Sequence, residues 1–188
     1  TYDTLMPVLA QRPAPLQVSW LGFPGSTGAP FIDYFIGDPM TTPLADAAHF
    51  SEKIAQLPHC YQPNDAHRAL PQETTRTQWG VADDALVLCA FHQSYKISAE
   101  VFDTWCDLLH EVPKAVLWLL QWNTNVQATL TAAAQERGIG AARLVFAPLL
   151  PPQGHLSRLA CADVYLDAWP CNAHTTAGEA LWCGVPVV

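Results

Sequence analysis

ALVLCAF, residues 85–91, is apolar at every position. A strand that is apolar on both faces belongs in a sheet covered on both sides, which is the setting of parallel strands. Toward the C-terminus similar short runs alternate with helical patterns: Ser98 to Glu111, Ala115 to Leu120 (AVLWLL), Asn125 to Arg137, Leu144 to Ala147, Gln153 to Ala160, Val164 to Ala168 and Thr175 to Cys183. The order is βαβαβαβα, with each helix supplying a crossover, so an α/β, Rossmann-like unit is expected over residues 81–188. Ser98 is placed to N-cap its helix, and Val101, Trp105 and Leu108 to share a face. Gly138 sits where a C-terminal cap belongs. Val187-Val188, after Gly184 and Pro186, reads as the opening of another buried strand, and the chain is therefore expected to be a fragment.

Toward the N-terminus the pattern changes. Residues 58–80 are polar, carry prolines and show no period, as a linker would. Residues 1–57 look like the tail of a second α/β unit. Gln17 to Leu21 reads as a short strand, Gly22 to Gly28 as a Gly/Pro turn, and Tyr34 to Ile36 as another strand. Thr42-Pro43 reads as an N-cap followed by proline at the first helical position. No internal repeat or low-complexity tract is visible.

Composition removes several classes of function. Half of the 188 residues are apolar and 14% are charged, which suits a chain with a sizeable core and excludes intrinsic disorder. Nine Lys and Arg against 17 Asp and Glu leave a net charge of -8, so no global field attracts nucleic acid or anionic lipid. An anionic ligand must be held by local donors. Cys60, Cys89, Cys106, Cys161, Cys171 and Cys183 are dispersed without a CxxC pair and read as reduced thiols. No apolar run approaches a transmembrane span, and no basic segment with an apolar h-region opens the chain. A cytoplasmic location is the expectation.

In open parallel sheets, ligands collect where strands exit into helices. Three such loops stand out. Phe91 to Ser98 (FHQSYKIS) carries His92, Gln93, Tyr95 and Lys96; Leu149 to Arg158 carries His155 in a first helical turn. Asp167 to Trp182 brings Asn172, His174, Thr175 and Thr176 to a helix start, with Glu179 one turn in. A helix starting at His174 or Thr175 aims unpaired N–H groups, its positive dipole end and two hydroxyls into one crevice, a site for a diphosphate. Lys96 is placed to neutralise the same group. Glu179 shares the face of Thr175 and Thr176 and can accept from the two hydroxyls of a ribose.

Each feature also has a plain reading. Two threonines at a helix start are ordinary N-caps. A single lysine is usually solvated, and a histidine near a helix start is usually a polar surface residue. Only their shared position on one sheet edge favours a nucleotide diphosphate. Cys161, Cys171, His174 and Cys183 match no compact zinc spacing. PGSTG, Pro24 to Gly28, lacks the Lys-Ser/Thr of a P-loop.

The blocks QRPAPLQVSWLGFPGSTGAPFIDYFIGD (Gln11 to Asp38), FHQSYKI (Phe91 to Ile97), VPKAVLWLLQ (Val112 to Gln121) and CNAHTTAGEALWCGVPVV (Cys171 to Val188) closely resemble the O-linked N-acetylglucosamine transferase family, with its bacterial and SPINDLY-like members. The match is spread over most of the chain, with its blocks in the expected order.

The resemblance implies a GT-B fold of two Rossmann-like lobes with parallel sheets, both incomplete. Residues 1–57 would end the N-terminal lobe, 58–80 would link, and 81–188 would begin the C-terminal nucleotide-sugar-binding lobe. It implies inverting transfer of N-acetylglucosamine from UDP-GlcNAc to Ser or Thr hydroxyls of a protein or peptide acceptor, without a metal or other cofactor. By resemblance Gln93 and Lys96 contact the donor, Lys96 on its diphosphate; His174, Thr175 and Thr176 hold the phosphates; Glu179 meets the ribose; His155 lies against the uracil; and Gly22 belongs to the substrate-binding set. Lys96 and His174 are the expected catalytic residues, and no general base is assigned. Animal members have Asp where this chain has Glu179, and Lys where it has Pro152. GDP-fucose, used by SPINDLY-type relatives, is the alternative donor, and a noncatalytic sugar-nucleotide-binding module on a repeat-protein scaffold is the alternative class. Upstream tetratricopeptide repeats are expected in the full chain.

Overall fold

The computed structural model describes residues 4–188. It divides into two compact units, Thr1–Asp65 and Ala66–Val188. The boundary falls inside the polar stretch that reads as a linker.

The first unit contains a short helix, α1 (Met6–Leu9), and a parallel sheet of β1 (Val18–Ser19), β2 (Tyr34–Gly37) and β3 (Lys53–Gln56), in that order. Phe35, 2% exposed, packs its ring 5.1 Å from that of Phe50 at the centre of the unit. Thr42 does not cap an α-helix. The segment Leu44–His49 is a 3-10 helix with Pro43 at its cap and no side-chain cap bond. The Thr42 side chain is instead buried against Gly37, where a Cβ would lie only 2.2 Å from its hydroxyl oxygen. Asp38 organises this turn by accepting from the amides of Met40 at 3.0 Å and Thr41 at 2.8 Å, and it accepts from the Tyr61 amide at 2.8 Å.

The second unit holds β4 (Leu86–Ala90), α2 (Ala99–Glu111), β5 (Ala115–Leu120), α3 (Thr124–Glu136), β6 (Leu144–Ala147), α4 (Pro152–Leu159), β7 (Val164–Tyr165) and α5 (Thr175–Trp182). All four strands are parallel, in the order β6-β5-β4-β7. Alternate residues of β4 feed two cores: Leu88 and Ala90 join α2 on one face, while Val87 and Cys89 join Trp118, Tyr165 and Leu159 on the other. Both faces are covered, and each fully buried large side chain contributes about 1.5–3 kcal/mol. Val187 extends the sheet through a parallel bridge to Tyr165, with the Val188 amide donating to the Tyr165 carbonyl at 3.0 Å.

Local signals act largely as read. The Ser98 hydroxyl accepts from the Val101 amide at 3.2 Å to cap α2. Gly138, at φ +77°, ends α3, and the Ile139 amide returns to the Ala134 carbonyl at 2.9 Å, the six-to-one bond of a left-handed C-cap. The buried stripe of α2 is Val101, Phe102, Trp105, Cys106 and Leu109. Leu108 is not part of it and is 37% exposed, because at 100° per residue it falls about a quarter turn from the stripe's centre.

Candidate functional site

Counted along the second unit, the strand order is 3-2-1-4, so the direction of winding reverses between β4 and β7. Ligands of doubly wound sheets bind at this reversal, beyond the carboxyl ends of the strands. The loops that leave β4 and β7 are the two that carry Gln93-Lys96 and His174-Thr176.

A cavity of about 200 Å³ opens there. Its polar lining includes Gln93 and Lys96 after β4, His155 and Arg158 of α4, and Thr176 of α5. Trp122 and Leu150 supply part of the apolar wall. The volume lies below the roughly 300–1,000 Å³ of a complete small-molecule site, and suits part of a nucleotide. Lys96, whose charge no carboxylate among the described residues pairs, donates to the backbone carbonyl of Asn172 at 2.7 Å. That carbonyl lies two residues before His174, the cap of α5, so the ammonium stands at the mouth of the helix.

Neither Thr175 nor Thr176 is the N-cap. His174 takes that position with φ -118° and ψ -85°, and no side chain makes a cap bond to the helix. The two threonines occupy the first two helical positions, Thr175 exposed and Thr176 half-buried in the cavity wall. Among the described residues, the cap position of α5 adds no side-chain bond to the helix's positive end.

Glu179 is drawn to His155: its Oε2 lies 3.5 Å from Nε2 of the imidazole. The two residues expected to meet ribose and base therefore meet each other. Gly22 lies in the first unit, at φ +145° with nothing within 4 Å of a hypothetical Cβ, so the backbone alone requires glycine there.

The PGSTG turn is closed to outside anions by an internal one. The Glu52 carboxylate accepts from the Thr27 amide at 2.7 Å, from the Ser26 hydroxyl at 2.7 Å, and from the Thr27 hydroxyl. Burial of Glu52 opposes its charge, but these hydrogen bonds outweigh that and lower its pKa to about 2.

Three residues beyond the expected set shape the site. The Asp167 carboxylate accepts from the amides of Ala168 at 2.7 Å and Ala173 at 2.6 Å, and from the Asn172 side chain at 3.0 Å. It knits the loop that presents Asn172 to Lys96. His92 is 2% exposed, its Nε2 sits 2.7 Å from the Leu166 carbonyl, and burial lowers its pKa. With its other ring nitrogen sealed from solvent, it is a structural post and not an acceptor's base. Arg158 is 0% exposed, a guanidinium stacked 4.6 Å over the Phe91 ring. An aspartate just beyond the last strand and an arginine three residues after His155 were the available signals. Both have common surface roles that hide them in a single sequence.

Comparison with known proteins identifies the family and the fold. The probable UDP-N-acetylglucosamine–peptide N-acetylglucosaminyltransferase SEC of Arabidopsis thaliana is 37% identical over 188 residues, covering 96% of this chain and 19% of the plant protein. A solved lysine-to-methionine mutant of the Thermobaculum terrenum O-GlcNAc transferase superposes with a TM-score of 0.80 at 33% identity, covering 96% of this chain and 34% of that one. Sucrose-phosphate synthase of Thermosynechococcus elongatus shares the fold at TM-score 0.62 and 17% identity, over 83% of this chain and 40% of its own. The chain thus spans about a fifth of the plant relative and a third of the bacterial one. The fold is that of the GT-B glycosyltransferases, as the resemblance implied. The model of glycosyl transferase family 41 matches residues 5–73 and 71–188, and the chain belongs to that family.

Proposed function

We propose that this chain contributes the donor-binding part of an inverting glycosyltransferase that moves N-acetylglucosamine from UDP-GlcNAc to Ser or Thr hydroxyls of a protein or peptide acceptor. The observation that carries the reading is the convergence of Lys96, Thr176 and His155 on one cavity at the winding reversal of the sheet. The family membership and the names of the plant and bacterial relatives support the donor and the acceptor.

In this reading an acceptor hydroxyl oxygen attacks the anomeric carbon, and the bond from that carbon to the phosphate oxygen breaks on the opposite face. UDP departs with the bonding electron pair, and the hydroxyl's proton is released to water, no residue of this chain being assigned as the base. Lys96, the amino end of α5 capped by His174, and the hydroxyls of Thr175 and Thr176 stabilise the charge that grows on the diphosphate. These groups do the work that a divalent cation does in other glycosyl transfers, so no metal or other cofactor is assigned. Gln93 orients the donor from the same loop as Lys96. His155 faces the uracil and Glu179 accepts from the ribose hydroxyls. Gly22 keeps its place in the proposed substrate-binding set through the resemblance alone.

The direct test incubates the full-length protein with labelled UDP-GlcNAc and Ser/Thr peptides. Release of UDP with label on a Ser or Thr supports the proposal, and nucleotide binding without product leaves only a binding module. Titration of UDP against GDP decides the donor base.

A further inference from the structure

Tyr165 is 0% exposed, yet its phenol oxygen has no hydrogen-bond partner among the described residues. A buried hydroxyl left unpaired is costly and calls for an explanation. The ring sits in the core cluster that also takes Ala180 of α5, with its centroid 5.3 Å from that of His92. Ala180 lies one helical turn beyond Thr176, so the two share a face of α5, and Thr176 carries that face into the cavity wall. The Thr176 hydroxyl acts on the phenol, although the two stop short of a formed hydrogen bond. Burial pushes the pKa of Tyr165 well above its usual value, so the phenol keeps its proton and can donate it.

The Thr176 hydroxyl has one proton to donate and two lone pairs to accept with. A threonine inside a helix often gives that proton to the carbonyl three or four residues back. Here those carbonyls belong to Asn172 and Ala173, which precede the cap residue His174, and that of Asn172 already accepts from Lys96 at 2.7 Å. We infer that Tyr165 is a positioning residue: its buried phenol donates to the Thr176 hydroxyl oxygen and turns the threonine's own proton into the cavity, toward an anionic oxygen of the donor's diphosphate. The inference rests on the proposed diphosphate role of Thr176. The phenol needs no contact with the ligand. Hydrogen bonds in series polarise one another, so a phenol behind Thr176 makes that hydroxyl a stronger donor.

The test measures the affinity of the full-length protein for UDP, and for uridine, which lacks the diphosphate, across a double-mutant cycle of Tyr165→Phe and Thr176→Val. Tyr165→Phe keeps the buried ring and removes only an unpaired hydroxyl, so without nucleotide it is expected to melt no lower than the unsubstituted protein. It is expected to weaken UDP about fivefold, the size of one lost hydrogen bond, and to leave uridine unchanged. Thr176→Val is expected to weaken UDP at least as much, and adding Tyr165→Phe to it should cost less than about a further twofold. A phenol that served packing alone would weaken UDP and uridine together, in both backgrounds. A fall in melting temperature, unchanged UDP affinity or equally weakened uridine in Tyr165→Phe, or additive losses in the double variant, overturns the inference and leaves the diphosphate role of Thr176 standing. If Thr176→Val holds UDP as tightly as the unsubstituted protein, that role falls and the inference with it.

Discussion

The ε-ammonium of Lys96 is held at 2.7 Å by the backbone carbonyl of Asn172, so the loop after β4 is tied to the loop that opens α5. The partner is a neutral dipole, which leaves the full positive charge for an incoming diphosphate. Lys96→Ala is expected to lower turnover by more than about a hundredfold, as for loss of a transition-state donor. The readout is UDP release by the complete enzyme. Near-normal turnover in that variant would remove Lys96 from the leaving-group site.

Asp167 controls the same geometry from the other side. Its carboxylate gathers two amides and the Asn172 side chain. Asp167→Asn turns one acceptor oxygen into a donor group and strands an amide, at a cost of about 1–3 kcal/mol. We expect weaker UDP binding in calorimetry along with a lower melting temperature. Unchanged UDP affinity would show that the loop holds its shape without this carboxylate.

Metal removal should have no effect. With the diphosphate held as proposed by Lys96 and the amino end of α5, turnover in EDTA is expected to stay within about twofold of the untreated rate. A collapse of activity in EDTA that Mg²⁺ or Mn²⁺ restores would contradict the proposed charge stabilisation.

Glu52 gives the first unit an acid-sensitive staple. Its pKa falls from an ordinary 4.5 to about 2 on folding, so its contribution is complete above the unfolded value and drains away as pH falls through about 2. Glu52→Gln should therefore destabilise the protein near neutral pH. The gap between the two proteins should narrow below about pH 4 in denaturant titrations. A gap independent of pH would mean that shape, rather than charge, holds the turn.

The regular half of the fold was legible where chemistry and period coincide. The strands Ala115–Leu120 and Leu144–Ala147 lie where the apolar runs lie, since few other structures accept such runs between helices. The strand Lys53–Gln56 was not read: KIAQ is four residues with polar ends, and its strand character comes from pairing with β2. Thr42 carries an N-cap's chemistry, yet packing against Gly37 claims it. At the site, the sequence brought Gln93, Lys96, His155 and Thr176 to one sheet edge, and the cavity joins these four. The His155–Glu179 contact depends on rotamers that no spacing encodes.

The pairing of β4 with β7 reaches further than the sheet. Leu88 lies opposite Val164 and Cys89 opposite Tyr165, with the Leu166 amide bonded to the Cys89 carbonyl at 2.7 Å. Neighbouring strands run about 4.8 Å apart. A two-rung ladder therefore acts as the ruler between the loop that carries Lys96 and the loop that opens α5. Slippage by one rung would turn Tyr165 over to the opposite side of the sheet and carry Asp167 with it. An ordinary-looking core change in this ladder would then be inherited as a defect of the proposed donor site.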